Sequence, residues 1–442
     1  MLDHDIKNLK EGENSNTRLK VKWEKIDIDL YKALTDQSID ALNKTTRTLN
    51  DTEHLTEKIC TIMNEAATKS TTVKARYSAK PKLKVLTPKI KDLLENMRSN
   101  YKRWVTYGKP TNPTNIIYSQ RILSRKVFRN AIRIEEAKQR ESERDMILDT
   151  RTRDMRLFHK LVRNNRKKGH NLIDDLYVNG ETYSGKENVL QGFTEHFRQL
   201  ATNNQNNESE YHRKIEQEIQ LINQLVKNKA IPVATISELE KSIKSINTGK
   251  SADIYNITIE HIINAGEQMI TILLQIVNAI FDHGSVPDIL KVGLLTPVFK
   301  NKGNIAEVIN YRGITVLPVI NKIIETIIKN RTNHNILAIQ NPIQRGFTKG
   351  SSPLNPALPV EETYRENADN KNECQLVLLD AKSAFDVVIH SHLMRRVYHA
   401  GIQDKHWSLI NSMHQKASSS VKWDSKRSQQ FPVTQGVDKE VS

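Results

Sequence analysis

The chain has 442 residues, 37% of them hydrophobic and 27% charged, which is enough apolar material for two or three folded domains. Lys and Arg outnumber Asp and Glu by 67 to 51, and the net charge of +16 favours polyanionic partners, nucleic acid before an acidic membrane surface, over a basic surface that serves only solubility. The two cysteines, Cys60 and Cys374, exclude a disulfide framework, and no Cys/His run has zinc-ligand spacing.

The N-terminal segment is polar and lacks apolar periodicity, which predicts a disordered tail at 1–20 and no secretory signal peptide. The longest apolar stretch, residues 269–281, is too short to span a bilayer and predicts a buried helix. We therefore expect an intracellular protein, in the nucleus or the cytoplasm, that is not secreted and has no membrane partner.

Residues 21–202 predict a basic, mainly helical linker region. Thr87 and Pro88 are typical of a helix start, because threonine caps the first turn and proline suits the first helical position. Apolar residues then recur at helical spacing, at Ile90, Leu93, Leu94, Met97, Tyr101 and Trp104. A second helix is predicted at about 116–147.

The densest basic stretch of the chain follows that second helix. It comprises Arg151, Arg153, Arg156, Lys160, Arg163, Arg166, Lys167 and Lys168. On a helix these side chains spread over a broad face, which suits a nucleic-acid backbone because each phosphate contact releases counterions. A solvated helix face explains the stretch equally well, and a nuclear localisation signal is a weaker third interpretation.

Turn and linker signals divide the rest of the chain. Asn179 and Gly180, within residues 176–183, predict a β-hairpin with a type I′ turn. The polar run at 203–207 and the apolar periodicity after it predict a linker and a helix at 203–234. Helices and apolar strand-like runs alternate beyond that point, which predicts an α+β domain at 235–442.

Five sequence blocks follow one another in this domain, after a capping box that predicts a helix start at Glu238. They are a Gly-Lys loop at 249–256; an apolar strand and basic turn at 294–303; Asn-Tyr-Arg-Gly-Ile-Thr-Val-Leu at 310–317; Lys322, Glu325 and Arg331 on an apolar helix; and Gln344, Gly346, Phe347, Gly350 and Ser352. In this order the blocks resemble the front part of the reverse transcriptase domain of non-LTR (LINE-type) retrotransposons. The resemblance implies a helical linker region followed by an incomplete right-hand polymerase domain, with the fingers and the start of the palm.

Residues 376–388 predict a buried strand that ends at Asp380, followed by a turn or helix start. A carboxylate at the end of a buried strand is costly unless it is paired or binds a cation. Nucleotidyl transfer uses such carboxylates to hold two Mg²⁺ ions. On spacing alone, a helix-capping role for Asp380 is favoured, but the segment resembles Leu-Asp-x-x-x-Ala-Phe-Asp, the first palm motif of these polymerases, and this reverses the preference.

The resemblance implies a role for individual residues. Asp380 is the expected first metal-binding aspartate, with the backbone carbonyl of Ala381 as a second ligand. Phe385 takes the steric-gate position that selects deoxynucleotides, although plain core packing also explains an aromatic ring. Arg312 resembles the fingers arginine that contacts the incoming triphosphate. Lys300 and Lys302 are expected to contact phosphate or template, with a plain surface role as the alternative.

The same resemblance implies the partners: an RNA template, a DNA primer, deoxynucleoside triphosphates and two Mg²⁺ ions, with no stable protein partner. Asp386 is expected to be structural and not a metal ligand. The sequence departs from the family where Gly313 replaces a proline, and where Asp438, Lys439 and Glu440 replace Arg, Gln and Gly of the second palm motif.

No Tyr/Phe-Ala-Asp-Asp tetrapeptide occurs in the sequence, and in the family that motif supplies the remaining metal-binding aspartates. We therefore expect a fragment of an RNA-directed DNA polymerase that is inactive alone. A non-catalytic RNA- or DNA-binding protein derived from a retroelement is the alternative, and a helical scaffold with a decayed enzyme domain is a weaker one.

Overall fold

A computed structural model describes residues 21–42, 44–71, 85–165, 173–202, 209–381 and 383–437 of the chain. The chain divides into two compact units: a helical unit, Val73–Asn171, and a mixed unit, Met1–Thr72 with Leu172–Ser442. The predicted boundary at 202 is therefore not where these units divide, since residues 172–202 and 21–72 belong to the mixed unit.

The helices of the described residues are α1 Ile28–Asp40, α2 Leu49–Lys69, α3 Pro88–Thr106, α4 Ile116–Arg153, α5 Met155–Asn165, α6 Lys186–Ala201, α7 Glu210–Val226, α8 Ile236–Ser245, α9 Ile259–Ile263, α10 Glu267–His283, α11 Val319–Ile339, α12 Leu354–Asp369, α13 His390–His399 and α14 Lys405–His414. The strands are β1 Asp175–Val178, β2 Glu181–Ser184, β3 Val292–Phe299, β4 Tyr311–Val316, β5 Ser418–Trp423, β6 Lys426–Arg427 and β7 Phe431–Pro432. This mixture of helices and sheet agrees with the expected α+β class.

In the helical unit, α3 begins where the sequence predicted. Pro88 is its first residue, and the Thr87 side chain accepts the backbone N–H of Ile90. Helix α4 extends six residues beyond the predicted 147 and ends at Arg153; the extended backbone of Asp154 then separates it from α5. The described part of the basic stretch is therefore divided between these two helices.

In the mixed unit, α10 is the centre of the main hydrophobic core. Its apolar residues pack with those of α2, α8 and α11, and Leu273, Ile276 and Ile280 are fully buried. Burial of each such side chain stabilises the fold by roughly 1.5–3 kcal/mol. The prediction of a buried helix at 269–281 is therefore confirmed. No helix among the described residues is both long enough and apolar enough to cross a membrane.

The larger sheet is built on β3, which has a partner along each edge. It pairs antiparallel with β4, with Val298 opposite Arg312, and parallel with β5, with Leu294 opposite Ser420. Strands β6 and β7 extend the sheet from β5. Phe193 and Phe197 of α6 pack in the hydrophobic cluster on this sheet, so that α6 covers part of one face.

The predicted hairpin is the pair β1–β2. Asn179 and Gly180 connect the strands with φ angles of 50° and 89°, the two positive values that a type I′ turn needs. The helix start near Glu238 is displaced by two residues, because Thr235, and not Ser237, is the cap: its side chain accepts the N–H of Glu238 while Glu238 accepts the N–H of Thr235.

The predicted buried strand at 376–380 is wrong. Leu376, Val377, Leu378 and Leu379 are 64%, 76%, 84% and 94% exposed, and no strand is assigned to residues 373–381. The sequence has the apolar content of a strand, but a strand also needs a neighbour for its backbone groups, and no described residue supplies one. Helix α12, just before this segment, also buries none of its residues.

Candidate functional site

A small pocket lies where the sheet, helix α6 and the segment after β7 meet. Its walls include Leu295 of β3, Gly313 and Thr315 of β4, Asp386, and Gly436. Two of the sequence blocks, the last residue of the first palm-like motif and the start of the second therefore meet at one place in the mixed unit.

Gly313 determines how closely α6 approaches β4. A Cβ atom at this position would lie 2.9 Å from Cε1 of Phe197 and 3.1 Å from Cδ1 of Leu295. The ring of Phe197 thus occupies the space that a side chain at 313 would need. The replacement of the family's proline by glycine has a packing reason in this chain.

The two palm-like motifs are joined through their backbones. The N–H of Val437 donates to the carbonyl of Phe385 at 2.9 Å, and the N–H of Gly436 donates to the carbonyl of Val388 at 2.8 Å. Gly436 has a φ of +86°, and a Cβ there would lie 2.9 Å from the carbonyl oxygen of Asp386. A glycine is therefore needed at 436 both for its backbone angle and for this close approach.

Charged groups beside the pocket act on His196 of α6. Burial lowers the pKa of His196, the positive charge of Lys300 lowers it further, and the Asp386 carboxylate opposes both. Lys300 is positioned by its own turn, since its Nζ donates to the carbonyl of Ile309 at 2.7 Å. The structure thus brings Lys300 and Asp386 into one electrostatic environment.

Arg312 is exposed and projects away from the pocket. Side chains alternate along a strand, and Gly313 and Thr315 line the pocket while Tyr311 is buried on the same face. Arg312 therefore lies on the opposite face of β4 from the pocket. Lys302 is exposed in the turn between β3 and β4.

Asp380 and Ala381 are both exposed. Within the described residues no three His, Cys, Asp or Glu side chains are grouped so that they could hold a metal ion. A carboxylate and a backbone carbonyl are ligands that Mg²⁺ accepts, so Asp380 and Ala381 are suitable in kind. The described residues do not, however, supply a complete set of ligands.

Phe385 is 41% exposed and contacts a second aromatic ring. Its ring centroid lies 5.8 Å from that of Phe347, in an edge-to-face arrangement. Phe347 is itself 96% exposed. The structure therefore brings the Gln-x-Gly-Phe block next to the first palm-like motif, and neither ring is a core residue.

The sequence did not identify the role of Asp253, which is 2% exposed. Its Oδ1 accepts the N–H groups of Tyr255 and Ile257, each at 2.9 Å, and its Oδ2 accepts the N–H of Val319 at 3.0 Å. Asp253 thus caps α11 from a distant part of the chain. Burial raises its pKa to about 6, although these backbone hydrogen bonds lower it. The only sequence signal was an aspartate within the Gly-Lys loop at 249–256.

The expected nucleic-acid contacts in the basic stretch lie outside what is described. Arg156, Lys160 and Arg163 belong to α5, but the described part of the structure does not include their side chains. Arg166, Lys167 and Lys168 lie outside the described residues altogether. Their predicted role stays a prediction.

Residues 299–438 match the family model described as reverse transcriptase (RNA-dependent DNA polymerase). A segment of 165 residues, 37% of the chain, is 27% identical to a probable RNA-directed DNA polymerase from transposon BS of Drosophila melanogaster. That match covers 18% of the relative's length. The family match includes Gly313, Asp380, Asp386 and Gly436, and so contains most of the site described above. The predicted resemblance to a retrotransposon reverse transcriptase is therefore confirmed for this part of the chain, which is similar to such enzymes.

Proposed function

We propose that this chain supplies the fingers and the first palm segment of a non-LTR (LINE-type) RNA-directed DNA polymerase. Such an enzyme copies an RNA template into DNA from a DNA primer and deoxynucleoside triphosphates. The observation that carries the proposal is the family match over 299–438, which includes the β3–β4 turn, most of the residues that line the pocket, the first palm-like motif and the start of the second.

In this proposal, Asp380 and the carbonyl of Ala381 are ligands of Mg²⁺, which in two-metal sites activates the attacking oxygen and stabilises the leaving one. Phe385 borders the nucleotide site as the ring that selects deoxynucleotides. Lys300 and Lys302 contact phosphate near the turn between β3 and β4. Arg312 contacts the triphosphate only if the nucleotide reaches the face of β4 opposite the pocket.

The exposed apolar run at 376–379 supports an additional element in the working enzyme. Four consecutive exposed apolar side chains in a segment that forms no strand or helix are typical of a strand whose partner is missing. We propose that a further strand bearing carboxylates covers this run and completes the metal site beside Asp380. The 442-residue chain then has no polymerase activity by itself.

Primer extension on an RNA template with Mg²⁺ tests this proposal. We expect the chain to give no extension above background. Robust extension that is abolished by Asp380→Asn would contradict it, because the described residues would then be part of a complete site. If the genomic sequence in frame with Ser442 encodes Ala-Asp-Asp, the longer chain should extend the primer and lose this activity on Asp380→Asn.

A second candidate function is binding of RNA or DNA without catalysis. The observation in its favour is the charge of +16 together with the exposed cations Lys302 and Arg312. It predicts that RNA binding measured by gel shift is present in the chain and unchanged by Asp380→Asn. If the longer chain with an Ala-Asp-Asp motif binds RNA but extends no primer, this candidate is favoured over the polymerase.

A further inference from the structure

Helix α4 of the helical unit has an apolar face that no described residue of the unit covers. One of its faces packs on α3, where the guanidinium of Arg121 stacks over the Trp104 ring at 3.7 Å. Phe128, seven residues further on the same face, is buried. Another face carries four apolar side chains that remain exposed. They are Ile116 at 70%, Leu123 at 60%, Val127 at 43% and Ile134 at 58%.

These four residues lie on one line along the helix. Their spacings of seven, four and seven residues are those of a coiled-coil seam, which repeats every 3.5 residues. The same coiled-coil spacing has two further positions between these apolar residues, and they are occupied by Gln120 and Asn130. We call the six residues the α4 stripe. At 1.5 Å per residue, the stripe is about 27 Å long.

The α4 stripe is symmetric about its midpoint in the sequence, which is position 125. Arg125 itself is not part of the stripe. Ile116 and Ile134 are equally distant from Arg125, as are Leu123 and Val127. Gln120 and Asn130 form the third symmetric pair. When two copies of α4 are placed antiparallel about a two-fold axis at Arg125, each apolar residue faces an apolar residue and each amide faces an amide. A surface complementary to itself is what a two-fold symmetric dimer requires.

We propose that the α4 stripe is a self-association surface through which two copies of this chain pair antiparallel. The aliphatic pairs provide the apolar contact, and the pairing of Gln120 with Asn130 of the second copy fixes the register, since an amide pair is satisfied only when the two amides meet. Exposed aliphatic residues at coiled-coil spacing over five turns are also unusual for a face that stays in water.

Charge determines how this association responds to salt. Residues 116–134 include five basic and no acidic residues, among them Lys126 and Arg133 beside the stripe. Pairing two copies brings like charges together, so added salt must strengthen the association by screening them. An acidic protein or a nucleic acid on the same face would instead be released by salt. The direction of the salt effect therefore distinguishes a second copy from the other occupants.

The first test is sedimentation equilibrium of the full, nuclease-treated chain in about 100 mM and about 500 mM NaCl. We expect self-association that is tighter at the higher salt concentration. Leu123→Glu should weaken it by at least about tenfold, since a carboxylate then faces an aliphatic side chain. The matched control is Ile122→Glu: Ile122 is 47% exposed but points about 100° away from Leu123 on the helix, so association should be unchanged. Circular dichroism checks that both variants keep their helices.

The second test uses the pairing of Leu123 with Val127 of the other copy. Leu123→Glu alone and Val127→Lys alone should each be monomeric. An equimolar mixture should associate again, because the antiparallel pair then contains one Glu–Lys contact and one Leu–Val contact. A parallel pair would face residue 123 with 123 and could not be rescued in this way.

Three outcomes would overturn the proposal. One is a chain that stays monomeric at both salt concentrations, even if it binds nucleic acid or an acidic protein through Leu123. Another is a dimer that Leu123→Glu and Ile122→Glu affect equally. The third is a mixture of the two charged variants that remains monomeric while each variant is folded.

Discussion

Arg331 of α11 holds the start of α8 in place. Its guanidinium donates to both carboxylate oxygens of Glu238 at 2.8 and 2.9 Å, and to the carbonyls of Pro232 and Val233 at 2.6 and 3.0 Å. Glu238 also accepts the N–H of Thr235 in the capping box. In the sequence, Arg331 was one of the residues that resemble the polymerase family. In the structure it joins α11 to the start of α8, two helices of the main core.

We predict that Arg331→Met lowers the free energy of unfolding by about 1–3 kcal/mol, because it removes charge-assisted hydrogen bonds from a side chain that is 14% exposed. Urea denaturation measures the effect. The matched control is Arg365→Met, since the ion pair of Arg365 with Glu361 is exposed and is worth less than about 1 kcal/mol. If both variants lose the same free energy of unfolding, the Arg331–Glu238 contact contributes no more to stability than an exposed ion pair.

The same pair predicts how stability depends on pH. Hydrogen bonds from Arg331 lower the pKa of Glu238 from its ordinary 4.5 to about 2. A carboxyl whose pKa is lower in the folded state stabilises the fold above its ordinary pKa and loses this contribution as the pH falls through the folded value. The wild type should therefore lose more stability than Arg331→Met between pH 4.5 and pH 2.

Gly313 and Phe197 offer a prediction about the wall of the pocket. Gly313→Ala should destabilise the chain by about 1–3 kcal/mol, because the new methyl group overlaps the Phe197 ring. Phe197→Ala should cost about 3–5 kcal/mol, because it empties a buried site. In the double variant the methyl group enters the space that the ring vacates, so the loss should be smaller than the sum by at least about 1 kcal/mol. If the two stability losses are additive, the methyl group at position 313 does not clash with the Phe197 ring.

At the scale of elements, local signals in the sequence predicted local structure. The Thr87-Pro88 start of α3, the Asn179-Gly180 turn and the buried helix at 269–281 are each determined within a few residues of chain, by capping, by backbone angles and by apolar content. The strand at 376–380 depended instead on a partner distant in the sequence, and Asp253 depended on a helix start 66 residues away. A local motif does not reveal which distant segment of the chain will supply such a contact. The predicted roles of Arg312 and Asp380 came from family resemblance alone.

Hydrogen exchange tests the exposed segment directly. Amides at 376–381 should exchange at nearly unprotected rates in the isolated chain, because they are in no described strand or helix. The amides of β3 are the internal reference, since that strand is paired on both edges and should exchange far more slowly. Strong protection at 376–381 would instead favour the buried strand that the sequence predicted.

At the scale of the whole molecule, the positive charge makes a prediction about nucleic-acid binding that does not depend on catalysis. Lys302 and Arg312 are exposed on the β3–β4 hairpin, and both lie within the family match at 299–438. If each contacts one phosphate, Lys302→Ala and Arg312→Ala should each weaken RNA binding and reduce the slope of log affinity against log salt by about 1. Lys426→Ala is the matched control, because Lys426 already pairs with Glu187 at 2.5 Å within the chain. If the salt slope of RNA binding is unchanged in both variants but reduced in the Lys426→Ala control, the nucleic acid contacts the β5–β6 side of the sheet and not the β3–β4 hairpin.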